Sequence, residues 1–184
     1  KIDVKENPAI NPKPDTVAQA KKDYSINNDE TNIVLGTGGS GETKRVPSRI
    51  FLEVMKNTLK RGKCKFFIAT GNAKEEIEIL DQILKSDLKE FCIPLNNLNI
   101  KKIIPIIKNC DVSICNDSSF SHLSAALNIP TIVLMADTPL VYGSYSSLMH
   151  PILPEGANTV SHDTLGKDKI CLLYTSPSPR DYPG

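Results

Sequence analysis

Between Thr31 and Met135 the chain alternates short apolar runs with amphipathic stretches, and this rhythm restricts its fold more than any other feature. The runs are NIVLG, KFFIATG, EFCIPL, DVSICND and TIVLM. They are strand-length and mostly apolar, the pattern of strands buried on both faces. Between them lie PSRIFLEVMKNTLKRG, AKEEIEILDQILKS, NIKKIIPIIKN and SFSHLSAALN. The first puts Ile50, Phe51, Val54, Met55 and Leu59 on one helical stripe, and the second does the same with Ile77, Leu80, Ile83 and Leu84. Pro47 suits a first helical turn and Gly62 a stop. Pro105 must sit near the start of its helix or kink it. Asn128 can take a left-handed stop before Pro130. The alternation predicts an α/β fold, a parallel-sheet Rossmann-like domain with helices on both faces. There is no internal repeat.

The remainder of the chain narrows the function classes. Its 184 residues suit one domain with a tail, and a net charge of +1 supplies no basic surplus for nucleic acid. No apolar run reaches the roughly 18 residues of a membrane span. The five cysteines form no Cys-x-x-Cys pair, which fits buried, reduced thiols in a cytosolic protein. Residues 1–14, with Pro8, Pro12 and Pro14, read as a linker, followed by a helix from Asp15 to Tyr24 with Asp15 as its cap. The chain starts without Met or a signal peptide and reads as a fragment. Residues 15–170 then form the folded domain. The Ser/Pro-rich stretch CLLYTSPSPRD, Cys171 to Asp181, shares nothing with the preceding rhythm and resembles a translated sequencing-library adapter. Residues 171–184 are therefore expected to be a non-native tail.

In a parallel sheet, ligands bind beyond the carboxyl ends of the strands. The loops that matter follow Leu35, Thr70, Leu95, Asp117 and Met135. The first, GTGGSGETKR, has the Gly-x-Gly-x-x-Gly spacing of a dinucleotide fingerprint at Gly36, Gly38 and Gly41. A true fingerprint opens its helix at the third glycine and has an acid at the end of the second strand, whereas here ETKRVP intervenes and that strand ends IATGN. An anion loop, with Lys44 or Arg45 as counter-charge, competes with a ligand-free flexible loop. In NDSSFSHLSAALNIP, Asp117 ends a strand, Ser118 or Ser119 caps a helix, and His122 lies one turn in. That helix start is either a diphosphate seat or a plain capped terminus. In ATGNAKEE, Glu75 or Glu76 is either a ribose ligand or an acid suiting the helix dipole. In ADTPLVYGSY, Thr138 follows the fifth strand, and Tyr142 and Tyr145 are either wall or surface residues.

Together these motifs resemble the family 9 glycosyltransferases, the lipopolysaccharide heptosyltransferase group, from about Asp15 to Ile170. The resemblance covers only the C-terminal, donor-binding half of that two-domain GT-B fold. GGSGETKRVP matches a Gly/Ser-rich loop with Lys44 and Pro47 in place and Val46 where Trp is usual. NDSSFSHLSAALNIP matches Asn-Asp-Ser/Thr-Gly followed by His, with Asn116, Asp117, Ser118 and His122 present and Ser119 in place of Gly. MADTPLVYGSY matches a Gly-x-Thr-Pro loop, with Ala136 for Gly.

The resemblance implies that Ser40 and Lys44 contact donor phosphates and that Glu75, favoured over Glu76, holds the ribose. Asp117 would reach sugar hydroxyls. The Ser118–Ser119 backbone, with His122, would hold the diphosphate, and Thr138 would line the sugar pocket. It further implies no cofactor and no metal, a nucleotide-sugar substrate and a lipopolysaccharide-core acceptor. The general base would lie in the N-terminal domain. Localisation would be cytoplasmic, with peripheral association at the inner face of the bacterial inner membrane. The alternatives are a NAD-binding Rossmann oxidoreductase domain, a GT-B-type UDP-sugar transferase or epimerase, and a non-catalytic flavodoxin-like binding module.

Overall fold

A computed structural model describes residues 7–135 and 138–153. The tail expected at 171–184, like every residue after Leu153, lies outside the described residues. Among the described residues, six strands form one sheet: β1 (Thr31–Gly36), β2 (Cys64–Ala69), β3 (Cys92–Pro94), β4 (Val112–Asn116), β5 (Thr131–Leu134) and β6 (Met149–Ile152). Their order is β3-β2-β1-β4-β5-β6, and every pairing is parallel. The helices are α1 (Pro14–Asp23), α2 (Ser48–Leu59), α3 (Lys74–Leu84), α4 (Ile100–Ile107) and α5 (Ser119–Ala126).

Strand alternation sorts the core into two layers. Ile33 and Leu35 of β1, with Phe66 and Ile68 of β2, face Phe51 and Met55 of α2 and Leu80 and Ile83 of α3. Val34, Phe67 and Ala69 point the other way, onto Ile103, Ile106 and Ile107 of α4 and Phe120 of α5. Ala20 of α1 joins this second layer, and Ile10 is tied to it by its N–H donating to Ala126 O at 2.8 Å. Phe51, Phe66 and Phe67 are fully buried, and each such side chain contributes ~1.5–3 kcal/mol by leaving water.

Several local expectations change. Pro14 takes the first helical position because its fixed φ and missing N–H suit it, so α1 begins before Asp15 and its cap is Lys13. Gly62 does not stop α2. The helix exits through Lys60 in right-handed conformation (φ −64°, ψ −21°), so no glycine is required there. Pro105 lies inside α4 and is buried, beyond the first turn. Asn128 does adopt the left-handed stop, with φ 62°. The sixth strand, β6, extends the sheet beyond the five runs read from the sequence.

The strand order places a reversal between β1 and β4. Chain connections leave these two neighbours in opposite directions, which opens a crevice at their carboxyl ends. Gly36 ends β1 there. A Cβ on it would approach Cys115 Cβ of β4 to 2.8 Å, so only glycine fits at this backbone spacing.

Candidate functional site

Two loops meet at the crevice. The loop after β1 runs from Thr37 to Pro47 and makes a single 3-10 turn at Glu42–Lys44 before α2 starts at Ser48. The third glycine of the apparent fingerprint, Gly41, thus opens no α-helix. Strand β2 ends at Ala69 and continues into Thr70 and Gly71 without an acid. Both features disfavour a dinucleotide site.

The second loop follows β4. Asp117 is 4% exposed, and its Oδ2 takes the Lys44 ammonium at 3.1 Å. The same oxygen accepts the Thr138 hydroxyl. Lys44, Asp117 and Thr138, which follow three different strands in the chain, therefore form one cluster. Beside it, α5 begins at Ser119 with Ser118 as N-cap. The Ser118 side chain makes no cap hydrogen bond, so capping does not explain it. First-turn amides of a helix lack intrahelical partners and carry partial positive charge, which suits an anion.

Between the loops lies a hollow of about 290 Å³ lined by Gly38, Gly39, Ser40, Gly71, Glu76 and the Ser118–Phe120 segment. Around it the hydroxyls of Thr37, Thr70 and Ser118 are buried without a hydrogen-bond partner. Thr37 and Thr70 follow β1 and β2 directly, and Ser118 is the second residue beyond β4. Unpaired buried hydroxyls cost ~1–3 kcal/mol each, a cost that polar binding sites carry.

The two glutamates separate here. Glu76 reaches into the crevice, where its carboxylate accepts from Gly39 N at 2.9 Å and Ala73 N at 3.2 Å. It sits so close to Gly38 and Gly71 that a Cβ on either would collide with it. Glu75 is exposed and lines a second hollow of about 430 Å³, between the glycine loop and α3, with Glu42, Arg45, Ile79 and Gln82. Ser40 and Ser119 are exposed at the rim of the first hollow. His122 stacks on Tyr145, with ring centroids 5.6 Å apart and 17° between planes, and its Nδ1 lies 3.1 Å from Tyr145 Oη. Tyr142 is 54% exposed.

In the sequence Asn116 is visible as a match to the Asn-Asp-Ser/Thr-Gly motif, with no role attached. Fully buried at the end of β4, it binds the backbone of the glycine loop at both ends. Its signal is the pairing of a buried amide with a loop it is remote from in sequence, which no local pattern exposes. Among the described residues, no group of three or more His, Cys, Asp or Glu side chains is gathered as a metal site, and no helix is long and apolar enough to cross a membrane.

Comparison with known proteins gives this geometry a lineage. Residues 5–156 match the model of glycosyltransferase family 9 (heptosyltransferase). The chain is 26% identical over 154 residues to lipopolysaccharide heptosyltransferase 1 of Campylobacter coli, covering 80% of this chain and 44% of that protein. It is 31% identical over 105 residues to lipooligosaccharide heptosyltransferase 2 of Haemophilus influenzae, covering 55% and 30%. It thus spans less than half the length of either relative. Its fold superimposes on the ADP-heptose lipopolysaccharide heptosyltransferase II of E. coli with a TM-score of 0.67 at 19% identity, covering 83% of this chain and 46% of that one. The sheet is accordingly one Rossmann-like half of a GT-B fold. With the family model matched across most of its length, the chain belongs to glycosyltransferase family 9.

Proposed function

We propose that this chain is the donor-binding half of a glycosyltransferase that moves a sugar, a heptose from an ADP-sugar, to a lipopolysaccharide-core acceptor. The observation that carries the reading is the Lys44–Asp117–Thr138 cluster beside the start of α5. A transferred sugar leaves behind a diphosphate, and that leaving group gains charge as the bond to the sugar breaks. Lys44, Ser40 and the Ser118–Ser119 backbone receive the two phosphates. His122 stands one turn along the same helix, on the side held by Tyr145. Fixed donors of this kind stabilise developing charge without a metal ion. Asp117 turns toward the sugar hydroxyls, and Thr138 orients it and lines the sugar pocket. Glu75 holds the ribose, with Glu76 as the competing position because it lies nearer the crevice. The E. coli relative's name specifies ADP-heptose, which supports an adenine nucleotide as the donor's carrier.

The attacking hydroxyl and the general base that takes its proton belong to the opposite half of the GT-B fold. Localisation in the cytoplasm, at the inner face of the inner membrane, follows from that acceptor. Calorimetric titration of this chain with ADP, an ADP-sugar and NAD tests the reading. ADP and the ADP-sugar are expected to bind, weakly, and to outcompete NAD. Tighter binding of NAD would overturn the donor assignment. Measurable sugar transfer by this chain alone would overturn the location of the base.

A further inference from the structure

We infer that Asn116 is a positioning residue: its side-chain amide clamps both ends of the glycine loop and thereby sets Lys44 opposite Asp117. Asn116 has no exposed surface. Its Nδ2 donates to Thr37 O at 2.9 Å and to Gly38 O at 3.3 Å, where the loop leaves β1. Its Oδ1 accepts from Val46 N at 3.4 Å, where the loop returns to α2. Lys44 stands two residues before Val46, and Asp117 is the neighbour of Asn116. One dipeptide thus holds the loop twice, by its backbone through Asn116 and by its cation through Asp117.

The chemistry explains why an amide stands there. The loop presents two carbonyls at one end and an N–H at the other, and a single planar carboxamide offers two donors and one acceptor. A carboxylate in its place would keep the acceptor for Val46 but turn an anion onto two carbonyl oxygens. An alkyl side chain would satisfy none of the three. Arg45 Nη1 to Gly39 O at 3.1 Å and Gly39 N to Glu76 brace the middle of the loop, and Thr37 N–H donates to Ala69 O of β2 at 2.9 Å; none of these three joins the loop to β4. The distance between Lys44 and the start of α5, and so the width of the anion seat, is set by Asn116.

The inference rests on the donor reading, and its test separates the two. Affinities for ADP and for adenosine are measured by calorimetry on the chain carrying Asn116→Ser, Lys44→Met or both, together with amide hydrogen exchange without ligand. Asn116→Ser is expected to weaken ADP binding about tenfold, the equivalent of one lost buried hydrogen-bond partner, while adenosine binding stays level. The double variant is expected to lose no more than Lys44→Met alone, because Asn116 acts through Lys44. Exchange is expected to quicken at residues 38–46 and to stay slow in β1 and β4. Unchanged ADP affinity, additive losses or an equal loss for adenosine would each overturn the inference. If the unsubstituted chain binds no ADP, the donor reading falls, and the exchange result alone decides the clamp: quickened loop exchange upholds it and unchanged exchange overturns it. If Asn116→Ser loosens the sheet as well, Asn116→Asp, which keeps the volume and the Val46 bond, replaces it in every measurement.

Discussion

Lys44 Nζ lies 3.1 Å from Asp117 Oδ2 although the two residues are 73 positions apart. The pair is asymmetric. Asp117 is 4% exposed and Lys44 21%. Removing the lysine leaves a nearly buried carboxylate that keeps the Thr138 hydroxyl on its Oδ2 but has lost its cation, whereas removing the carboxylate frees a cation that can reach water. Lys44→Ala is therefore expected to cost ~1–3 kcal/mol in urea unfolding, and Asp117→Asn less. Equal costs would show that solvent screens the pair as fully as a surface ion pair.

The same two residues are assigned to different parts of the donor, so their variants should divide by ligand. Lys44→Ala is expected to weaken ADP and ADP-sugar binding alike, since both carry the diphosphate. Asp117→Asn is expected to weaken the ADP-sugar by roughly tenfold, about 1.4 kcal/mol, and to leave ADP nearly unchanged. Calorimetry on the two variants reads this directly. A loss of ADP binding in Asp117→Asn would move the carboxylate from the sugar to the phosphate side.

How far the site could be read from the sequence depends on the distance over which each feature acts. Strands β1 to β5 were legible because their apolar runs are local and continuous, through burial on both faces in all but the half-buried β3. Strand β6 was not. Among the described residues it stands at the edge of the sheet, with His150 and Ile152 exposed and Pro151 within it, and proline within a strand is found mainly at sheet edges. Asp117, Lys44 and Thr138 were each visible as loop residues. That one carboxylate oxygen joins all three was not, because the strand order that gathers them follows from crossovers and not from any single stretch. Glu75 and Glu76 look interchangeable in the sequence. Helix geometry turns neighbours about 100° apart, which sends Glu76 to the crevice and Glu75 to the adjoining hollow. Asn116 shows the limit most clearly: its residue type is ordinary at a strand end, and its clamp is made entirely of backbone atoms from another loop.

Gly36 marks the closest approach of β1 and β4, so enlarging it should strain the base of the crevice. A Cβ there would lie 2.8 Å from Cys115 Cβ and closer still to its sulfur. Gly36→Ala is expected to destabilise the fold by ~1–3 kcal/mol. Cys115→Ala in the same chain should recover part of that loss by removing the sulfur while leaving the Cβ contact. Full recovery, or none, in paired urea titrations would place the strain elsewhere.

The half-buried Cys92 and the buried Cys110 and Cys115 give the fold a limit at high pH. Burial pushes the Cys92 thiol up to about 11. Burial also raises Cys115 to about 11, although hydrogen bonds from Ser113, Gly36 and Ser124 pull the other way. Cys110 is raised further by burial and by the nearby Asp111 carboxylate. A thiol whose ionisation is harder in the folded state stabilises that state fully below its unfolded pKa, near 9, and loses the contribution as pH rises toward the folded value. Stability should therefore be flat with respect to these thiols up to about pH 9 and fall between roughly 9 and 11. In the same window, alkylation of Cys92, Cys110 and Cys115 followed by peptide mass spectrometry should remain slow in the native chain and become fast in urea. Prompt native labelling of Cys115 at pH 8 would mean that the β1–β4 seam opens, and with it the floor on which Asn116 and Asp117 stand.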